Sequence, residues 1–211
     1  ATPVFVDICE DDYGMDPQLL EAAITERTRA IIPVSLYGQV CRMGPINTVA
    51  KTHGIPVIED GAQSLGALQD GRMSCGLSTL SATSFFPSKP LGCYGDGGAL
   101  FTDDDGLARV CKELRAHGQE RRYVHTRIGV NARMDAIQAA VILGKLPHFE
   151  NEMEKRSTLG ARYTEALKDI VRTPKVLAGN RHVYAQYSIE VDDREAFRAH
   201  MQTAGVPTAV H

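Results

Sequence analysis

The chain has 211 residues, a formal charge of −3 from 23 Lys and Arg against 26 Asp and Glu, 43% hydrophobic residues and no tryptophan. That balance excludes the basic excess of a general nucleic-acid binder. No apolar run approaches membrane-spanning length, and the N-terminus lacks the charged-then-apolar pattern of a signal peptide. Five cysteines, at positions 9, 41, 75, 93 and 111, are widely spaced with no CxxC pair, so they read as free thiols of a reducing compartment. Seven histidines show no HxxxH or Cys-partnered spacing, which argues against a metal site. These properties describe a soluble, cytoplasmic globular protein.

In chain order, residues 3–8 read as a strand ended by the acidic loop of Glu10, Asp11 and Asp12. Asp16-Pro17 starts a helix, a capping side chain followed by Pro at the first helical position, with Leu19, Leu20, Ala23 and Ile24 at helical spacing. Residues 30–35 form the next buried strand, although Pro33 would normally demote a central one. Gly44-Pro45 opens a helix with Ile46, Val49 and Ala50 on one face, stopped by Gly54. Residues 56–60 are a buried strand ending in Glu59 and Asp60. Strands alternating with helices imply right-handed crossovers and a mainly parallel sheet. Further on, 103–117 and 134–149 read as helices, the second bent or closed by Pro147 and packed at an interface or in the core. Residues 150–168 continue as a polar helix, 184–191 alternate like a strand, and 194–204 form a helix closed by Gly205. The expected division is a large α/β domain over 1–150, then a connecting helix and the start of a small α+β domain over 151–211.

The most informative stretch is residues 81–102, SATSFFPSKPLGCYGDGGALFT. Two strand-like runs, 82–86 and 98–102, flank a loop with Lys89 between Pro87 and Pro90, followed by Gly92, Gly95, Gly97 and Gly98. Proline fixes φ and glycine permits positive φ, so the loop holds a defined shape. The glycines match neither GxGxxG opening a helix nor a P-loop. Desolvation turns a lysine amine into a nucleophile able to form a Schiff base; a surface lysine on a turn is the bland alternative. Asp60 lies at the carboxyl end of its strand, where ligands gather in an open parallel sheet. An acid there and a lysine two strands on are the pair that pyridoxal phosphate (PLP) chemistry needs. Glu59 should point to the opposite face, because strand side chains alternate.

EDGAQS at 59–64, SFFPSKPLGCYGDGGA at 84–99 and NARMDAIQAA at 131–140, three motifs in order along the whole chain, resemble the DegT/DnrJ/StrS sugar aminotransferases, fold-type I PLP enzymes acting on nucleotide-linked keto sugars. The resemblance implies that Lys89 carries the cofactor and moves the substrate proton, and that Asp60 partners the pyridinium nitrogen. It implies that Gln63 packs by the cofactor ring near its phenolic oxygen, that Ser84 binds the phosphate, and that Asn131 reaches the phosphate bound in the other subunit of a homodimer with composite sites. Arg133 falls near that shared site, where a guanidinium could pair with an anionic group, and His211 lies in a segment that approaches substrate. On residue type alone, Asp60 could equally cap a turn, Ser84 be an ordinary strand residue, and Asn131 and Arg133 cap the following helix. The basic stretch 112–133 suits a UDP-sugar diphosphate or a solvated face. The resemblance further implies L-glutamate as amino donor and, within the family, the branch that aminates C3 of a UDP-linked 3-keto uronic acid sugar for O-antigen synthesis. Lysine rather than histidine at position 89 favours transamination over sugar dehydration. The other alternative is a non-catalytic regulatory relative. The family extends beyond both ends of this chain, which is therefore expected to be an interior segment.

Overall fold

The computed structural model describes residues 1–211. Its first helix, α1 (Pro17–Ala23), begins where Asp16 accepts the Gln18 N–H, with Pro17 in the first turn. Helix α2 (Met43–Thr52) buries Met43, Ile46 and Ala50. The central sheet follows. Strands β1 (Ile58–Asp60) and β4 (Leu80–Ser84) pair in parallel, Asp60 opposite Ala82. Strand β5 (Gly98–Phe101) closes the sheet antiparallel to β4, Ser84 opposite Gly98. On the other side, residues 31–35 run parallel to β1 through bridges at Ile31 and Val34. Pro33 faces β1, where its carbonyl accepts the Asp60 N–H and its nitrogen has no hydrogen to give, so the ladder skips one bond there. Residues 31–35 bridge only to Val57 and Asp60, which puts the proline on an edge segment, where it is tolerated. The expected α/β, mainly parallel architecture is present.

Three groups of elements differ from the expected ones. Residues 3–8 form no strand, only a bridge between Ile8 and Met15; Val4 and Phe5 find no sheet to join and stay exposed. Residues 184–191 are likewise not a strand. Tyr184 adopts a left-handed φ of 45° and its ring stacks on His182 at 3.9 Å, which breaks the alternation; only Glu190 bridges, to Arg172. Two small sheets occur instead: β2 (Leu68–Gln69) with β3 (Arg72–Met73) and β8 (Asn180–Arg181), and the hairpin of β6 (Gln119–Arg121) with β7 (Val124–His125).

Helix α3 (Asp105–Arg115) is capped by Asp104. Helix α4 (Ala136–Lys145) passes through one 3-10 turn, Leu146–His148, into α5 (Phe149–Leu167), so Pro147 marks a change of helix rather than a stop. Helix α6 (Arg194–Thr203) buries no residue. The core gathers Met43, Ile46, Val57, Phe85, Met153 and Val183 from both halves of the chain. Arg181 crosses back to Glu150 and the Gly66 carbonyl, and Asn180 to the Val40 carbonyl, so the region after α5 is tied to the central sheet. A compact protein of 23.0 kDa exposes roughly 9,600 Å², whereas this chain exposes 13438 Å². The excess includes Ile128, 98% exposed, and Ile137 and Leu143 of α4.

One packing contact yields a prediction. A Cβ on Gly160 in α5 would lie 2.2 Å from the Tyr184 ring. Gly160→Ala gains about 1 kcal/mol of helix propensity, but overpacking against a buried ring costs about 1–3 kcal/mol. Chemical denaturation is expected to show net destabilisation; equal or higher stability would mean that the ring yields freely.

Candidate active site

Strands β1 and β4 are parallel, so their carboxyl ends lie at one end of the sheet, and Asp60, Gln63, Ser84 and the Lys89 loop follow from those ends. Asp60 ends β1. Its Oδ1 accepts the Ala62 N–H at 3.0 Å, which fixes the carboxylate and leaves the second oxygen outside this turn. Asp60 therefore does cap the next turn, and the cap orients the acid without using it up. Gln63 lies on the turn that follows, its Oε1 accepting the Tyr37 N–H at 2.6 Å. With the oxygen so committed, the amide NH2 remains as donor. Ser84 ends β4 and its Oγ accepts the Phe86 N–H at 3.2 Å, leaving the hydroxyl hydrogen free to donate.

The chain then turns through Pro87 to Lys89, whose N–H donates to the Phe86 carbonyl at 2.9 Å. The loop's shape is enforced from several sides. A Cβ on Gly92 would stand 2.5 Å from the Pro87 oxygen, so only glycine fits this return. The Cys93 N–H and thiol both donate to the Phe85 carbonyl, at 2.7 and 2.9 Å. From α4, Lys145 Nζ donates to the Gly92 carbonyl at 2.6 Å and Gln138 Oε1 accepts the Tyr94 N–H. The Lys89 side chain is half-buried and takes part in none of the ion pairs.

Asn131 and Arg133 precede α4 but do not cap it; the N-cap is Asp135. Arg133 Nε donates to Asn131 Oδ1 at 3.0 Å, and both side chains are exposed. Residue 131 bridges Ala116, and Met134 lies against Gly97 at the return of the Lys89 loop. Within the basic stretch, Arg127 is committed to the buried Glu113 at 2.7 Å. His211 is brought to the Tyr37 ring, 6.0 Å between centroids. Two clefts elsewhere, of about 490 Å³ around Thr25, Arg29 and His53 and about 690 Å³ around Glu195, Arg198 and Val206, involve none of these residues.

Two features of the site were not among the expected site residues. Tyr37 joins Gln63 to His211. Glu59 is 0% exposed and, as alternation requires, turned away from Asp60's side. Ser74 Oγ (2.8 Å) and Ser35 Oγ (3.3 Å) donate to its Oε1, the Cys75 N–H (3.0 Å) and Ser81 Oγ (3.5 Å) to its Oε2. Burial pushes its carboxyl above the ordinary glutamate value, although these donors favour the charged form. Burial also raises the thiols of Cys41 to about 12 and Cys75 to about 11, so neither supplies a thiolate at neutral pH. Buried His182 is pushed down to about 4 by desolvation and is neutral.

Parallel strands that carry an acid, an amide, a hydroxyl and a loop lysine at their carboxyl ends define an α/β protein whose candidate ligand site lies in the usual place for such sheets. The sequence profile of the DegT/DnrJ/EryC1/StrS aminotransferase family matches residues 1–211, and the chain belongs to that family. It is 57% identical over 212 residues to the UDP-2-acetamido-2-deoxy-3-oxo-D-glucuronate aminotransferase of Pseudomonas aeruginosa, covering 100% of this chain and 59% of that protein. A DegT DnrJ EryC1 StrS aminotransferase from Brucella abortus superposes with a TM-score of 0.95 at 47% identity, over 98% of this chain and 58% of that one. NtdA from Bacillus subtilis, solved with bound cofactor PMP, superposes with a TM-score of 0.82 at 32% identity, over 95% of this chain and 46% of that one. The chain thus spans somewhat more than half the length of the curated relative and of the Brucella structure.

Proposed function

We propose that this chain is the greater part of the catalytic domain of a PLP-dependent nucleotide-sugar aminotransferase. It would move an amino group from L-glutamate to the keto group of a UDP-linked 3-keto uronic acid sugar. The observation that carries the reading is the convergence of Asp60, Gln63, Ser84 and the Lys89 loop at one end of the parallel strands. The donor set fits the cofactor: an oriented acid for a ring nitrogen, an amide N–H for a phenolic oxygen, a hydroxyl for a phosphate and a primary amine for an aldehyde. The similarity to the Pseudomonas enzyme supports the substrate class, and the PMP-bound Bacillus relative supports the cofactor.

PLP, when bound, supplies an electron sink for the carbon that bears the amine. The chain's own residues do the rest. Lys89 Nζ would hold the cofactor, and its free amine would move the proton to and from the substrate carbon as general base and acid. Asp60, its carboxylate held still by the Ala62 N–H, would offer its second oxygen to the ring nitrogen and favour the protonated ring. Gln63 donates from its amide nitrogen because Tyr37 occupies its oxygen. Ser84, whose hydroxyl hydrogen is free, would donate to the phosphate. Asn131 keeps its NH2 free because Arg133 occupies its oxygen, and in a homodimer this pair would serve the site of the second copy. The exposed apolar residues Ile128, Ile137 and Leu143, close in sequence to that pair, support a homodimer with composite sites.

The test is an absorption titration of the longest protein carrying this sequence with PLP, before and after L-glutamate, followed by turnover of the keto sugar. A visible PLP band bleached by glutamate and an amino-sugar product are expected; a dehydrated keto sugar, or no band, would overturn the reading. Asp60→Asn keeps the acceptor for the Ala62 N–H but removes the charge. It should fold normally and lose at least about 100-fold in turnover, and undiminished turnover would remove Asp60 from the site.

A further inference from the structure

The Leu36–Gly38 turn carries more strain than a connection needs. Tyr37 has φ 57° and ψ −1°, a left-handed conformation that is an outlier for a bulky residue. Such strain persists only where the surroundings over-determine it, and here they do. The Tyr37 N–H donates to Gln63 Oε1 at 2.6 Å, and its carbonyl accepts the Gln186 N–H at 3.3 Å. Gly38 follows at φ 111°, its carbonyl accepting the Val183 N–H at 2.8 Å. A Cβ at Gly38 would lie 2.8 Å from the Tyr184 nitrogen.

The ring is placed as firmly as the backbone. Tyr13, itself left-handed at φ 56°, meets it edge-on at 5.6 Å and 79°, and is anchored by its own hydroxyl donating to Glu190 at 2.6 Å. His211 meets it from another direction at 6.0 Å and 73°. Tyr37 remains half-buried, so part of its ring is still open. One strained residue therefore touches the candidate cofactor glutamine through its backbone and the candidate substrate histidine through its side chain.

Resting on the reading above, we propose that Tyr37 is a positioning and specificity-determining residue. Its N–H sets Gln63 for the cofactor, and its ring, flanked by Tyr13 and His211, is the apolar wall on which the C–H face of the substrate's pyranose packs. A sugar ring presents such a face and a free nucleotide's diphosphate does not.

The two roles separate experimentally because one uses the backbone and the other the side chain. Tyr37→Gly keeps the N–H, relieves the left-handed strain and deletes the wall. In the full-length protein it should keep the parent's melting temperature or exceed it, keep the PLP band, and raise KM for the UDP-keto sugar about tenfold, the scale of one lost aromatic contact. The inhibition constant of UDP alone should stay where it is. Tyr37→Phe restores the ring and should restore KM. Should the glycine variant fold poorly, Tyr37→Asn, which also tolerates this backbone, takes its place. An unchanged KM in a variant that binds PLP and turns over would overturn the wall while leaving the aminotransferase reading intact. Parallel weakening of UDP would overturn the assignment to the sugar. A parent protein without a PLP band would overturn both inference and reading.

Discussion

Lys89→Ala is expected to abolish transamination, by at least about a thousandfold, while leaving the fold unchanged. The loop that presents the lysine does not depend on its side chain. The hydrogen bond from residue 89 to the Phe86 carbonyl is made by the backbone. The turn is held by buried Pro90, by the close approach of Gly92 to Pro87, and by Cys93, Lys145 and Gln138. Truncating a half-buried side chain without an ion-pair partner should move stability by no more than about 0.5 kcal/mol. Activity and stability thus separate cleanly. The mutant should lack the glutamate-sensitive PLP band and show the parent's denaturation midpoint. Parent-like turnover would transfer the chemistry to another group, and a shifted midpoint would show that the amine holds the loop after all.

The same loop shows how far residues alone could be read. Its ends were legible because β4 and β5 are β-prone runs and because proline and glycine restrict the backbone by rules independent of tertiary context. Asp16-Pro17 marked α1 for the same reason. The short strands β2, β3 and β8 were not legible, since two residues carry no period. The hairpin of β6 and β7 turns at Arg122 and Tyr123, with Tyr123 at φ 65°, so it lacks the glycine or asparagine that signals a hairpin. Residues 3–8 and 184–191 misled in the opposite direction, since their composition suits strands but pairing partners are a tertiary matter. In the site, ordered motifs identified the residue types, and alternation along β1 correctly turned Glu59 away from Asp60. What no pattern revealed was commitment: that Tyr37 occupies the oxygen of Gln63, that Arg133 occupies that of Asn131, and that Glu59 binds a nest of hydroxyls.

That nest supports the second large expectation, Glu59→Ala destabilising the protein by roughly 2–4 kcal/mol. The carboxylate joins Ser35 beside the sheet edge, Ser74 and Cys75 after β3, and Ser81 in β4, directly beneath the strand end that carries Asp60. Alanine leaves the Cys75 N–H and the hydroxyls, all buried, without their acceptor. Glutamine should behave quite differently. It has the same shape, its oxygen can take the Cys75 N–H, and serine hydroxyls can accept from its NH2 as readily as they donate to a carboxylate. Glu59→Gln is therefore expected to match the parent at neutral pH, or exceed it, because a buried charge has been removed. The pH dependence fixes the sign. Burial raises the folded-state value above the ordinary 4.5, so the folded protein holds this proton more tightly than the unfolded chain does. The associated stability is full below 4.5 and is lost as pH rises through the folded value. On acidification from neutral towards 4.5, the parent should gain stability relative to Glu59→Gln. Denaturation of both proteins across that range decides the matter: a difference that runs the other way, or stays flat, would mean that the hydroxyl nest holds Glu59 as a fully charged group.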